Sequence, residues 1–222
     1  MSFQLVVTDN ASDVATSLAR TLRTHLAAGE NVLWLVPGGS ALKVVIEVAQ
    51  LLVDCDCQNL TVSLTDERYG PVGSADSNWE QLRQLGFEIT GATLHPVLTG
   101  VSRDETTTRH AAWLQTALAD SDFSLGFFGI GPDGHTAGIL PGSPAVNAPS
   151  LAASYVADPF ERITMTPRAI TGLHEAVAYA TGEPKRKVLS ELVHKDLSLE
   201  AQPSQVLKSV RTTTLFTDLK DV

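Results

Sequence analysis

The sequence predicts an α/β fold, a largely parallel sheet with helices on both faces, and three observations predict it. Apolar runs of strand length alternate with helix-patterned segments along most of the chain. Several of these runs, NVLWLV and FSLGFFGIG among them, are apolar at consecutive positions, as in strands buried on both faces. With 43% apolar residues among 222, the chain can bury one substantial core. No Pro/Gly/Ser-rich linker, charge block or internal repeat interrupts it, so residues 1–222 read as a single domain.

In chain order, QLVVTD reads as a first strand. MSFQLVVTDN lacks the basic start, extended apolar stretch and small-residue cleavage site of a signal peptide. ASDVATSLARTLRTHLAAG has helical apolar spacing and stops at Gly29. NVLWLVP is a buried strand that runs into Gly38, Gly39 and Ser40, and ALKVVIEVAQLLV is the following helix. NLTVSLTDE reads as one strand, RYGPVGSADSN as a loop and WEQLRQLG as a short helix. ATLHPV fits a strand and RDETTTRHAAWLQTALAD a helix. FSLGFFGIG is a central strand leading into PDGHTAGILPGSP. RITMTP and AVAYATG are further strands, EPKRKVLSELVHKD a helix, PSQVLKSV a short helix and TTTLFTD a last strand.

Composition limits the partners. A formal net charge of −9 opposes nucleic acid, whose phosphate backbone needs a basic face, yet leaves room for one small phosphorylated ligand. No apolar run is long enough to span a bilayer. The two cysteines, Cys55 and Cys57, are too close for an unstrained disulfide and lack further ligands at zinc spacing; they read as inert thiols of a cytoplasmic protein.

In a parallel sheet, ligands bind beyond the carboxyl ends of the strands, which directs attention to four loops. Gly129, Gly131 and Gly134 form a literal G-x-G-x-x-G, but Pro132 and Pro141 leave no room for the long helix that a dinucleotide site opens. The histidine that follows, His135, projects from an Asp-Gly turn at a strand end, and its imidazole is suited to taking a proton from water near neutral pH. Asp133 either orients that ring or caps the turn. The other histidines, at 25, 95, 110, 174 and 194, show no metal-ligand spacing, so no metal is expected. GGSAL lacks the last glycine of a nucleophile elbow. It reads instead as an anion loop, with Gly38 and Gly39 permitting close backbone approach and Ser40 at a helix start, where a simple cap is the alternative. ATGEPK offers a second such turn: Thr181 and Gly182 shape it and Lys185 supplies a cation. Asp66 and Arg68 emerge behind a strand end, and Arg162 either meets a phosphate or bridges to an acid.

LTDERYGPVGSADSNW, GIGPDGHTAGILPGSPA, RITMT and ATGEPKRKVL, in this order, resemble the 6-phosphogluconolactonases, a family grouped with the glucosamine-6-phosphate deaminases. The resemblance runs from the VPGGS loop to the final helices and is most specific in DGHTA…PGSP. It implies a Rossmann-like sheet, no cofactor, and hydrolysis of 6-phospho-D-glucono-1,5-lactone to 6-phosphogluconate in the pentose phosphate pathway. By position, His135 is similar to the family's general base, Asp66 and Arg68 to its acidic-arginine motif, Ser40 to its glycine-serine loop, and Arg162 and Lys185 to its phosphate cations. Asp133 or Asp66 would then hold the imidazole and polar substrate groups in register. The first loop departs from the family: Pro37 stands where a serine is more usual, and Ala41-Leu42 where Thr-Pro is. The deaminases look similar around the D-G-H turn but carry a glutamate just before Pro-Gly, where this chain has Leu140, which relays no proton. The other alternative is a non-catalytic sugar-phosphate sensor on the same fold.

Overall fold

The structure, a computed structural model, describes residues 2–222; Met1, at the head of the expected first strand, lies outside them. The chain runs through β1 (Ser2–Val7), α1 (Ala11–Ala27), β2 (Val32–Val36), α2 (Leu42–Leu51), β3 (Leu60–Leu64), β4 (Asp66–Tyr69) and α3 (Asn78–Gln84). Next come β5 (Thr93–Leu94), α4 (Arg103–Asp120), β6 (Phe123–Gly129), β7 (Ala152–Ala157) and β8 (Phe160–Met165). The last elements are α5 (Pro167–Thr171), β9 (Glu175–Tyr179), α6 (Arg186–His194) and β10 (Thr212–Thr217). Short 3₁₀ turns at Gly39–Ala41, Glu183–Lys185 and Pro203–Ser209 join them.

Seven strands form one sheet in the order β1-β10-β9-β6-β2-β3-β5, and every pairing in it is parallel. Two apolar layers cover its faces, as the alternation along the strands dictates. Trp34, Val36, Val62, Leu125 and Phe127 point to one side, against Val14, Leu18 and Leu22 of α1 and Val44, Val45 and Val48 of α2. Leu33, Leu35, Phe128, Ala176 and Ala178 point to the other, against Leu114 of α4, Ile170 of α5 and Leu189 and Leu192 of α6. From β2 the chain builds outward through β3 and β5, then returns to β6 on the opposite side of β2 and builds the other way. The strand order therefore reverses between β2 and β6, the place where a parallel sheet opens a crevice at its carboxyl edge.

Three expectations need correction. NLTVSLTDE is two strands: at Thr65 the backbone leaves the main sheet, its N–H donating to Val36 O (2.8 Å) while its carbonyl accepts from Met165 N–H (3.0 Å). Asp66–Tyr69 then joins a separate antiparallel sheet, β4-β8-β7, so Arg68 and Tyr69 belong to a strand rather than a loop. RITMTP is consequently β8 of that small sheet, paired with β7, which sequence reasoning missed because AASYVA is rich in alanine, a weak strand former. Lastly, PSQVLKSV is a 3₁₀ turn and EPKRKVLSELVHKD begins with one, so only Arg186–His194 is α-helical there. Cys55 and Cys57 are both free thiols just after α2.

Candidate active site

The loops after β2 and β6, on either side of the reversal, meet the end of β9 and the start of β4 around a cavity of about 600 Å³. That volume suits a ligand of monosaccharide size carrying a phosphate. Gly38, Gly39, Ser40, Asp66, Arg68, His135, Arg162, Thr181 and Lys185 all line it.

The β6 loop explains its glycines. His135 folds back so that its ring lies directly over the α-carbon of Gly131, where any Cβ would overlap the imidazole. Gly131 N–H donates to His135 O (3.0 Å) and Gly134 N–H to Gly131 O (2.9 Å), closing the turn. The pattern that resembles a dinucleotide fingerprint therefore serves to seat one histidine. Asp133 does not line the cavity; it stands behind the ring, its Oδ1 2.6 Å from Nδ1 and 3.2 Å from the His135 backbone nitrogen. Partial burial works against the Asp133 carboxylate, but the His135 backbone N–H and ring outweigh it and hold its pKa below the usual range. An ionised Asp133 accepts the Nδ1 proton, which leaves the Nε2 lone pair as the ring's basic site. Asp133 makes the contact that each reading requires, one to the turn's backbone and one to the imidazole.

The break at Thr65 builds the opposite wall. Asp66 is buried, and burial raises its carboxyl pKa against the opposing pull of Arg162, the Thr65 hydroxyl, His135 and Arg68. Glu67, fully buried, turns away from the cavity and accepts from four donors: the N–H groups of Arg68 (2.7 Å), Asn78 (2.6 Å) and Trp79 (3.1 Å) and the Ser77 hydroxyl (2.9 Å). It thereby pins the start of α3 against β4. Asn78, held by this anchor, donates from Nδ2 to Asp66 O (2.9 Å) and packs against Gly38 so closely that no Cβ fits there. Arg68 and Arg162 face each other directly across β4 and β8, both near the Phe160 ring, with Arg68 4.4 Å from its centroid. Arg162 Nε is buried and has no hydrogen-bond partner among the described residues.

The remaining wall is made of helix starts. Side chains of Asn10, Ser77 and Ser102 cap α1, α3 and α4, whereas α2 and α6 begin without a side-chain cap, and both begin at the cavity. The 3₁₀ turns before them take the first N–H of each helix, Leu42 to Gly39 O and Arg186 to Glu183 O, and the helix dipoles are aimed at an anion in the cavity. Thr181 and Lys185 stand where expected, but Gly182 does not: it lies off the cavity, and its N–H is already given to Asp218 Oδ1 (2.9 Å). Sequence reasoning also missed Lys43 and Tyr179, which line the cavity. Lys43 sits in the first turn of α2 and Tyr179 at the end of β9, the same strand-end signal that singled out the others. Four cationic side chains, Lys43, Arg68, Arg162 and Lys185, face one acid, Asp66, so the cavity is electropositive on a protein of net charge −9. Burial lowers the pKa of Lys185, against the opposing pull of Asp218. Among the described residues, no group of three His, Cys, Asp or Glu side chains is placed to hold a metal ion.

Residues 7–216 match the family described as glucosamine-6-phosphate isomerases/6-phosphogluconolactonase. A 6-phosphogluconolactonase of Caulobacter vibrioides is 30% identical over 211 residues, covering 89% of each chain. Among solved structures, a 6-phosphogluconolactonase from Thermotoga maritima superposes with a TM-score of 0.82 over 97% of this chain and 98% of its own, at 21% identity. A monomeric glucosamine-6-phosphate deaminase superposes with a TM-score of 0.80 over 98% and 97%, at 17% identity. The fold is therefore common to both chemistries, and the side chains must separate them.

Proposed function

Because the chain belongs to the glucosamine-6-phosphate isomerase/6-phosphogluconolactonase family, we propose that this cavity hydrolyses 6-phospho-D-glucono-1,5-lactone with His135 as the general base. The activity is that of a 6-phosphogluconolactonase, a carboxylic ester hydrolase of the pentose phosphate pathway. The observation that carries the residue assignment is the 2.6 Å contact from Asp133 to Nδ1, in a ring that lines an electropositive cavity.

The phosphate dianion is seated by Lys185 and Arg162 with the uncapped N-termini of α2 and α6, Ser40 and Thr181 beside them. This anchors the lactone with C1 towards His135. Nε2 takes a proton from water as its oxygen attacks C1, and the developing oxyanion is met by Arg68 or loop N–H groups. The ring C–O bond then breaks, and the imidazolium returns its proton to the departing oxygen. Asp133 supports the positive ring through this cycle, and Asp66 holds polar groups of the substrate. Lactones open slowly unaided, so positioning and one general base, each worth a few powers of ten, supply sufficient rate. No cofactor enters, and the protein acts in the cytoplasm.

The deaminase reading fails on Leu140. Its side chain packs into the apolar layer around Ile139 and Ala145, and the residue does not line the cavity. Offering the protein freshly prepared 6-phosphogluconolactone and, separately, glucosamine 6-phosphate tests the assignment. Acid release from the first alone is expected; ammonia release from the second, or turnover of neither, overturns it.

A further inference from the structure

The turn carrying Thr181 and Lys185 is held from behind by a residue outside the cavity. β10 pairs with β9 in parallel, so their carboxyl ends emerge side by side. Three bonds stitch these ends together: Ala180 N–H to Phe216 O (3.0 Å), Gly182 N–H to Asp218 Oδ1 (2.9 Å) and the Arg186 guanidinium to Lys220 O (2.9 Å). Gly182, at φ 95°, starts the 3₁₀ turn, and its carbonyl accepts from Lys185 N–H (3.0 Å). The bond to Asp218 thus fixes the peptide from which the turn springs. The same carboxylate is thus one hydrogen bond away from the turn that carries Lys185, and its charge bears on the ammonium meant to grip a dianion.

We propose that Asp218 is a positioning residue with two opposed effects: its hydrogen bond to Gly182 shapes the phosphate seat, and its negative charge weakens the hold of that seat. The inference rests on the lactonase reading and gives the second effect a purpose. The phosphate is unchanged by lactone opening, so affinity at that end is shared by substrate and product, and any beyond what anchors the lactone only retains product. The product carries a new carboxylate besides, which adds to its attraction for a cavity with four cations. A fixed negative charge behind the seat limits product retention without touching the reacting carbon.

Two substitutions separate the effects. Asp218→Asn keeps an acceptor for Gly182 N–H and removes the charge; Asp218→Ala removes both. Binding of 6-phosphogluconate to the intact protein, measured calorimetrically at low ionic strength, is expected to tighten about three- to tenfold in Asp218→Asn and to weaken by a similar factor in Asp218→Ala. The gain in Asp218→Asn is expected to shrink at high salt, because it is electrostatic. KM for the lactone should follow the same opposite signs, with kcat within about twofold of wild type where chemistry limits turnover. Shifts of the same sign in both variants, or no shift in Asp218→Asn, overturn the proposal. Failure of the wild-type protein to hydrolyse the lactone overturns the functional reading instead, and the affinity comparison tells the two apart.

Discussion

At the scale of single residues, the proposed mechanism gives the two nitrogens of His135 separate duties. Nδ1 lies 2.6 Å from Asp133 Oδ1, which in that mechanism leaves Nε2 for water. His135→Ala is expected to lower kcat at least about a hundredfold with the fold retained, read by steady-state assay and circular dichroism. Asp133→Asn, which keeps the shape but not the support for a positive ring, should lower kcat about 10- to 1,000-fold with KM little changed. Wild-type turnover in either variant would remove that residue from the mechanism. His135, Asp66, Ser40, Thr181 and Lys185 were legible in the sequence because each follows an apolar strand or opens a helix, and strand ends of a parallel sheet converge. Glu67 and Asp218 were not legible as supports. Their partners, Asn78 and Gly182, lie 11 and 36 residues away, and nothing local marks an acid that serves a distant N–H. Gly182 misled for the same reason: a glycine turn looks like an anion site until the owner of its N–H is known.

At the scale of elements, the buried Glu67 joins β4 to the start of α3 through three accepted bonds and takes a fourth from Arg68 N–H within β4, against a burial that raises its pKa. Glutamine has one acceptor oxygen, and its amide hydrogens would face N–H donors. Glu67→Gln is therefore expected to destabilise the protein by about 2–4 kcal/mol in urea titration. It should also lower kcat/KM, since Asp66, Arg68 and Asn78 all hang on this junction; unchanged stability would mean the four contacts carry little weight. The main-sheet strands and α1, α2 and α4 were readable from period and caps, α4 to the residue. The small sheet was not, because its strands are defined by pairing with one another: LTVSLTDE has no internal sign that the chain changes sheets at Thr65.

At the scale of the whole molecule, acid stability is governed in part by α4. His110 is fully buried, its Nδ1 has no partner among the described residues, and burial, with His95 nearby, lowers its pKa to about 3. The unfolded chain takes up this proton near pH 6.5 and the folded one does not, so the contribution is complete above that pH and is lost as pH falls towards 3. About 2 kcal/mol should disappear between pH 7 and pH 5 from this group alone. The raised carboxyls of Asp66 and Glu67 act in the opposite direction, so the comparison is with His110→Phe: its stability should fall less over that range, and equal slopes would refute the assignment. The facing pair Arg68 and Arg162 has a consequence of its own. Like charges opposite one another weaken a strand pairing, so an anion bound beside this pair stabilises the small sheet, and ordinary laboratory anions will compete for that place. Exchanging chloride for inorganic phosphate at matched ionic strength should raise the melting temperature by a few degrees once phosphate exceeds its Kd about tenfold. The same buffer should then mask turnover at low lactone concentration, making the choice of buffer a variable of the assay.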